Sequence, residues 1–432
     1  MQKVLEAKRA IMAGLFIAIL FAFLIYLQYS FSNDLYCPGI IFTLYWGLNI
    51  FIPYLLWQGE ITGYLFASFF VFLSCCVVQL GVSFTRRRHK SRNEIIGHDR
   101  GRFPLFQTKL LQRAMILLNL IVLIVPSVFL SSSSGFDPTA LMSVDEFSEM
   151  SAANRSFYGY GGGGIHSIGM PILLSFIYGS AACGGTLIAL SPLLTNRILG
   201  ILPLFFCFIM GVSYGSRMGV LFGGGLFLST FLATKLYVLR ENLNRSKILI
   251  QAVGISLLMI FSLSIITMLF RYREMAEFKL DKILERSLEQ FCFFPAFSYW
   301  FSSEGGWNNT DFSLGYRSFT RPFEWLGIQL DIQHSVNVVE TSSNIFTLFR
   351  GLIEDFTVGG SMIFLFLFGL FAGNCYQRVS RGDVYQVMGL STVYFIIIVS
   401  IAFSPFVYTT QIFALFLYYF VFLITKPLRS KP

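Results

Sequence analysis

Charge is what this chain has least of. Only 13% of its 432 residues are Asp, Glu, Lys or Arg, against 55% hydrophobic residues and a mean hydropathy of +0.66; a water-soluble domain carries about 25% charge. That balance excludes an ordinary soluble enzyme. Cysteine is sparse too. Of the seven, Cys75, Cys76, Cys183, Cys207 and Cys375 fall in apolar runs, Cys292 has no cysteine near it, and no Cys-x-x-Cys or Cys/His spacing occurs. A disulfide framework and a zinc site are therefore unsupported. Internal repeats are absent, as is any inverted pair of Gly/Pro-broken hydrophobic segments, which argues against an alternating-access transporter. The net charge of +9 lies in loops on one side of the apolar runs, and that placement argues against nucleic acid as a partner.

What the chain does have is apolar length. Hydrophobic runs at 11–29, 37–57, 61–85, 114–131, 166–190, 198–214, 218–236, 248–270, 357–376, 385–403 and 409–425 are each long enough to cross a bilayer as a helix. The expected fold is an all-α polytopic membrane protein of about 11 transmembrane helices, with residues 1–432 forming a single transmembrane domain. The first run lacks a small-residue cleavage site and is not read as a signal peptide. Residues 86–113 carry nine Lys/Arg against Glu94 and Asp99, which makes them a basic cytoplasmic loop by the positive-inside rule. Alternation then puts 132–165 and 271–356 on the external face. Upstream the rule conflicts with itself: three spans place the N-terminus outside, whereas Lys3, Lys8 and Arg9 favour the inside. The nine charges outweigh the three; a re-entrant 37–57 segment broken near Pro53 is the alternative.

The one long polar interruption, Arg271 to Gly360, holds eight Lys/Arg and twelve of the 23 acids. A loop of that length inside a packed chain is usually functional. Its first part, Lys279 to Phe294, has the stripe of an interfacial helix stopped by Pro295. Trp300, Trp307, Gly315-Tyr316-Arg317 and Trp325 follow. Aromatic rings beside polar groups suit sugar faces, and aromatics at a membrane belt have the same signature. The segment ends on Thr341 to Gly360. If it is helical from about Asn344, Arg350 and Glu354 share a face at i, i+4.

Two features lie outside that segment. Gly161 to Gly164 follow an acidic patch and Arg155, and read as a hinge into the next span. Tyr214-Gly-Ser-Arg217-Met-Gly219 carries the only charge between Gly200 and Thr234, at the external end of a hairpin. An arginine at that depth is costly unless something anionic receives it, or unless it snorkels to headgroups.

The Gly-Ser-Arg217 corner, the long external segment and Ser343-Asn-Ile-Phe-Thr…Arg350…Glu-Asp355-Phe…Gly360 together resemble the O-antigen polymerase (Wzy-type) family of bacterial membrane proteins. The resemblance implies a fold like the GT-C-like membrane glycosyltransferases, a multi-pass protein of the bacterial inner membrane, and an active site facing the periplasm, with 271–356 as its long periplasmic segment and 132–165 as a periplasmic loop. It implies polymerisation of oligosaccharide repeat units carried on undecaprenyl diphosphate, with the lipid bilayer and a chain-length regulator protein as partners.

Departure of a lipid diphosphate needs positive charge. No Asp-x-Asp pair lies in an external segment, so no metal and no cofactor is expected, and arginines take that place through bidentate guanidinium contacts. The catalytic residues expected are Arg217, Arg350, Asp355 and Glu354; the substrate-binding ones are Arg271, Arg273, Arg317, Arg321, Asn344, Arg155, Tyr316 and His334. For the acceptor hydroxyl the candidate bases are Asp355, Glu354, His334 and His166, with Asp355 preferred. Related O-antigen ligases resemble this motif but have a histidine directly before the asparagine, where this chain has Ser343. A ligase and a lipid-linked oligosaccharide flippase are the alternative functions.

Overall fold

The computed structural model describes residues 2–32, 34–56, 62–93, 108–133, 166–213, 218–238, 293–309, 312–328, 347–401 and 408–425. Among them every regular element is helical: α1 (Gln2–Ser32), α2 (Pro38–Leu56), α3 (Thr62–Asn93), α4 (Thr108–Ser133), α5 (His166–Leu190), α6 (Leu194–Ser213), α7 (Met218–Val238), α8 (Phe293–Ser302), a 3-10 turn (Gly306–Asn308), α9 (Thr320–Trp325), α10 (Leu348–Ser380), α11 (Gln386–Val399) and α12 (Thr409–Thr425). Ten of the eleven apolar runs fall on helices, and the run 248–270 lies outside the described residues. Among the described residues five stretches are long and apolar enough to cross a membrane: Met12–Ser32, Tyr64–Thr85, Ile172–Leu190, Gly219–Val238 and Leu348–Ser380.

The chain packs as two compact units, each discontinuous in sequence. One comprises Met1–Arg100 and Leu288–Tyr408, the other Gly101–Ser287 and Thr409–Pro432.

In the first unit α3 and α10 form the principal pair. A Cβ on Gly369 would come within 2.3 Å of the Val78 carbonyl oxygen, and one on Gly81 within 2.4 Å of the Phe366 carbonyl oxygen, so the backbones touch and only glycine fits. One turn on, Gly373 meets Val82 and Thr85. The contacts advance together along both helices, which therefore run parallel. α1 and α2 are antiparallel, with Gly14 against Tyr54 and Gly47 against Phe21. α2 runs unbroken through Pro53 from Pro38, a proline placed at a helix start, where its missing N–H has no intrahelical partner to lose. Asp34 closes the turn between α1 and α2 by accepting from Tyr36 N (3.0 Å) and from the Tyr376 hydroxyl near the far end of α10 (2.7 Å).

In the second unit α5 is central. Its Gly184 packs on the Gly200 carbonyl of α6, while the Thr230 hydroxyl of α7 donates to Ala182 O at 2.7 Å. Ser175 Oγ reaches Thr410 O of α12 at 3.1 Å, and Asn119 of α4 donates to Leu199 O at 3.1 Å. The described residues of this unit include no Asp or Glu. All the described acids lie in the first unit.

Two local expectations change. Pro295 lies within a helix, α8, which is described from Phe293, so the proline falls in its first described turn, while residues 279–292 of the expected interfacial helix lie outside the described residues. α10 begins at Leu348 rather than near Asn344, because Thr347 is its N-cap and its side chain accepts from Arg350 N.

Candidate functional site

The site is built on a broken helix. At 1.5 Å per residue, the 33 residues of α10 would span about 50 Å, well beyond a hydrocarbon core of about 30 Å. The helix is interrupted at Thr357, whose φ of 62° and ψ of 176° belong to a region that is almost exclusively glycine's. Residues 348–356 are thus a short helix of their own.

Hydrophobic burial fixes how that helix is turned. Phe349 is fully buried among Trp46 (ring centroids 4.5 Å apart), Phe70 (5.7 Å), Phe297 (6.0 Å) and Phe42 (6.2 Å). Leu348 N donates to Ser400 O at 2.7 Å, which satisfies one of the orphan N–H groups of the first turn. With Phe349 locked into the core, Arg350 is carried round to Trp300 of α8, its guanidinium carbon 4.9 Å from the ring centroid. Gly306 lies against the same indole so closely that a Cβ would be 2.8 Å from it. Trp300 is therefore a buried support for an arginine, not an open platform for a sugar.

The break at Thr357 turns the Val358 N–H away from the Glu354 carbonyl it would meet in a continuous helix. The loop after α8 approaches the carbonyls on this side of the break. Asn309 Nδ2 donates to Ile353 O at 3.4 Å, and the Ser313 hydroxyl, whose single proton goes to Asp355, lies 3.4 Å from Glu354 O. The same loop wraps the Asp355 carboxylate, which is completely buried. Oδ1 accepts from Arg317 N (2.8 Å) and from the Ser313 hydroxyl, and Oδ2 accepts from Ser318 N (2.7 Å). Consecutive backbone N–H groups form an anion-binding nest, and here the anion is a side chain of the protein. Leu314 (φ 54°) and Gly315 (φ 92°) make the turn that aims them.

Anchoring the 313–318 turn puts the Arg317 side chain beside Glu354. Arg317 Nη1 is 2.8 Å from Glu354 Oε2 as an ion pair, without the alignment of a hydrogen bond, and Arg350 Nε donates to Glu354 Oε1 at 3.0 Å. Two guanidiniums thus share one nearly buried carboxylate, and with the Asp355 carboxylate beside them the charges of these four described residues balance. A guanidinium has five donors in a planar fork and can hold more than one oxygen.

Of the residues expected from sequence, Arg350, Glu354, Asp355 and Arg317 are brought together here. Tyr316 adjoins them, but its ring is buried against Phe323 (6.0 Å). Arg321 is exposed and pairs with Glu324 on α9. Arg217, Arg271, Arg273, Asn344, Arg155 and His334 lie outside the described residues, and for His166 only its place at the start of α5 is described. Sequence reasoning did not single out Asn309, Ser313 or Ser318. Their signal was a Ser/Asn-rich, glycine-punctuated stretch, and nothing in it names the carboxylate it encloses. Comparison with known proteins finds no family model, no curated protein and no solved structure that matches this chain.

Proposed function

We propose that the chain is a polymerase of lipid-linked oligosaccharide repeat units, acting at the periplasmic face of a bacterial inner membrane. The observation that carries the reading is the convergence of Arg317 and Arg350 on Glu354 at the start of a candidate membrane span. In the proposed reaction the sugar C1–O bond to the carrier diphosphate breaks, the acceptor hydroxyl oxygen forms the new bond to C1, and its proton passes to a base. The undecaprenyl diphosphate leaves with additional negative charge, which the guanidiniums stabilise; one such contact is worth roughly 3 kcal/mol in a transition state.

The base role is assigned to Glu354 in preference to Asp355. Both Asp355 oxygens already accept hydrogen bonds that hold the turn, and the side chain is shut off from solvent. Glu354 keeps slight exposure, and its Oε2 has no aligned donor among the described residues. Arg217, isolated in sequence at a predicted external corner, is the further cation in this reading.

The test is purified protein in lipid with a synthetic undecaprenyl-diphosphate-linked repeat unit, with and without chelator. Polymer that forms equally in both conditions, and is lost in Arg350→Ala, supports the reading. Absence of product across acceptor and donor chain lengths overturns it.

A further inference from the structure

The segment that carries Arg317 also exposes apolar surface. Trp307, Phe312, Leu314, Trp325, Leu326 and Ile328 all show large accessible areas, Leu314 at 66% and Leu326 at 75%. Three are aliphatic, offering neither a π-face nor a hydrogen bond to a sugar. Leu314 is the sharpest case, because the turn around Asp355 holds this L-residue at positive φ and points a bare isobutyl group outward.

This surface is continuous with the outward faces of the candidate spans. The Trp307 ring lies 6.2 Å from Phe66, an exposed residue near the start of α3. Phe312 meets Phe356 at 6.3 Å, and Phe356 stacks on Phe364 of α10 at 5.9 Å and 12°. Phe319 meets Phe364 at 6.0 Å. On α10 itself, Ile363 and Leu367 are exposed as lipid-facing residues of a span are. Between the apolar tips sit Arg321 and Glu324, exposed and paired. Two tryptophans flanking aliphatic tips, with charged groups between them, is the pattern of an element lying in the plane of a membrane interface.

We propose that residues 306–309 and 312–328 form a collar seated in the headgroup layer of the bilayer, with these six side chains in lipid. The arginine pair behind the collar would then meet its anionic ligand sideways, from the leaflet, rather than from bulk water. The seating stands by itself; the lateral delivery of substrate rests on the polymerase reading.

The test uses the wild-type protein in nanodiscs of phosphatidylethanolamine and phosphatidylglycerol, doped with a phospholipid carrying a diazirine high on one acyl chain. After irradiation, adducts are mapped by mass spectrometry. Adduct yields at 312–314 and 325–328 within about threefold of those at 65–66 on α3 are the expected result. Labelling confined to the spans, with 312–328 modified instead by a water-borne carbene probe, overturns the proposal. Protection of 312–328 from the water-borne probe by a soluble oligosaccharide also overturns it, since the surface would then be a sugar shelf. A doubly substituted Leu314→Asp, Leu326→Asp protein should keep its elution profile in detergent while its lipid adducts in the collar fall at least fivefold. No substrate enters these measurements, so a failed polymerase assay and a failed seating are told apart.

Discussion

Glu354 and Asp355 are adjacent in sequence and face opposite tasks: the Asp355 carboxylate accepts the Arg317 backbone N–H at 2.8 Å, while Glu354 meets the guanidinium of that same arginine at 2.8 Å. One acid holds the main chain of Arg317 in place and the other engages its charge. Replacing each by its amide separates the two roles. Asp355→Asn should cost about 1–3 kcal/mol, the price of a buried acceptor that no longer matches its donors, seen as a lower melting temperature in detergent and faster proteolysis between 309 and 320. Glu354→Gln should slow polymer formation by roughly 10²- to 10⁴-fold, the range of a lost general base, and should also lower melting, because Arg317 and Arg350 lose the nearly buried carboxylate they share. Equal melting and equal loss of activity in both variants would refute the division.

Arg350 is tested by lysine. Its Nε donates to Glu354 while its plane lies near the Trp300 ring, and an ammonium reproduces neither geometry. Arg350→Lys should therefore lower turnover nearly as far as Arg350→Ala, by roughly 10²- to 10³-fold, with Trp300→Leu intermediate. Wild-type rates from the lysine variant would show that charge alone matters here.

Arg217→Ala is expected to abolish polymer while leaving expression intact, because the side chain is the only charge between Gly200 and Thr234. The readout is the lipopolysaccharide banding of a complemented deletion strain. One repeat unit on the core indicates a lost polymerase. Unmodified core with polymer left on the carrier indicates a ligase, and single units accumulating in the cytoplasm indicate a flippase. A full ladder removes Arg217 from the site.

At Thr357 a glycine should improve the protein. The residue's φ of 62° is one that a β-branched side chain resists, at about 1–3 kcal/mol, and glycine's extra freedom in the unfolded chain takes back about 0.4–1 kcal/mol. Thr357→Gly should stabilise by about 1 kcal/mol, and Thr357→Ala should do much less. Thermal unfolding followed by intrinsic fluorescence decides it; destabilisation by glycine would mean that the helix is continuous there.

Gly369 should tolerate nothing larger. With Val78 O 2.3 Å from a would-be Cβ, even Gly369→Ala must part α3 from α10, and Gly369→Leu should yield aggregated protein on size exclusion. A monodisperse leucine variant would disprove the contact.

Much of this was readable from residue order, and what was not has a physical explanation. Apolar runs announce helices because a helix in lipid must satisfy its backbone internally, and the Arg350–Glu354 pair follows from helical spacing alone. Thr347 as N-cap was within reach of the Thr/Ser cluster, though displaced by a few residues from the expected start. The break at Thr357 was not legible: a threonine carries no sign of positive φ, and the glycines that do, Gly359 and Gly360, follow it. The enclosure of Asp355 was hidden for a different reason, since sequence spacing does not report pairings between a turn and a helix 38 residues apart. Pro295 misled because the residue type that ends one helix can lie within another.

That separation also sets an order of events during synthesis. Until the ribosome has made Asp355, the turn at 313–318 has no carboxylate to close around, and Arg317 has no fixed orientation. At about 5–20 residues per second, the interval is roughly two to eight seconds for 38 residues. The candidate site is thus among the last parts of its unit to take shape, and a truncated or half-inserted chain has no means of assembling it.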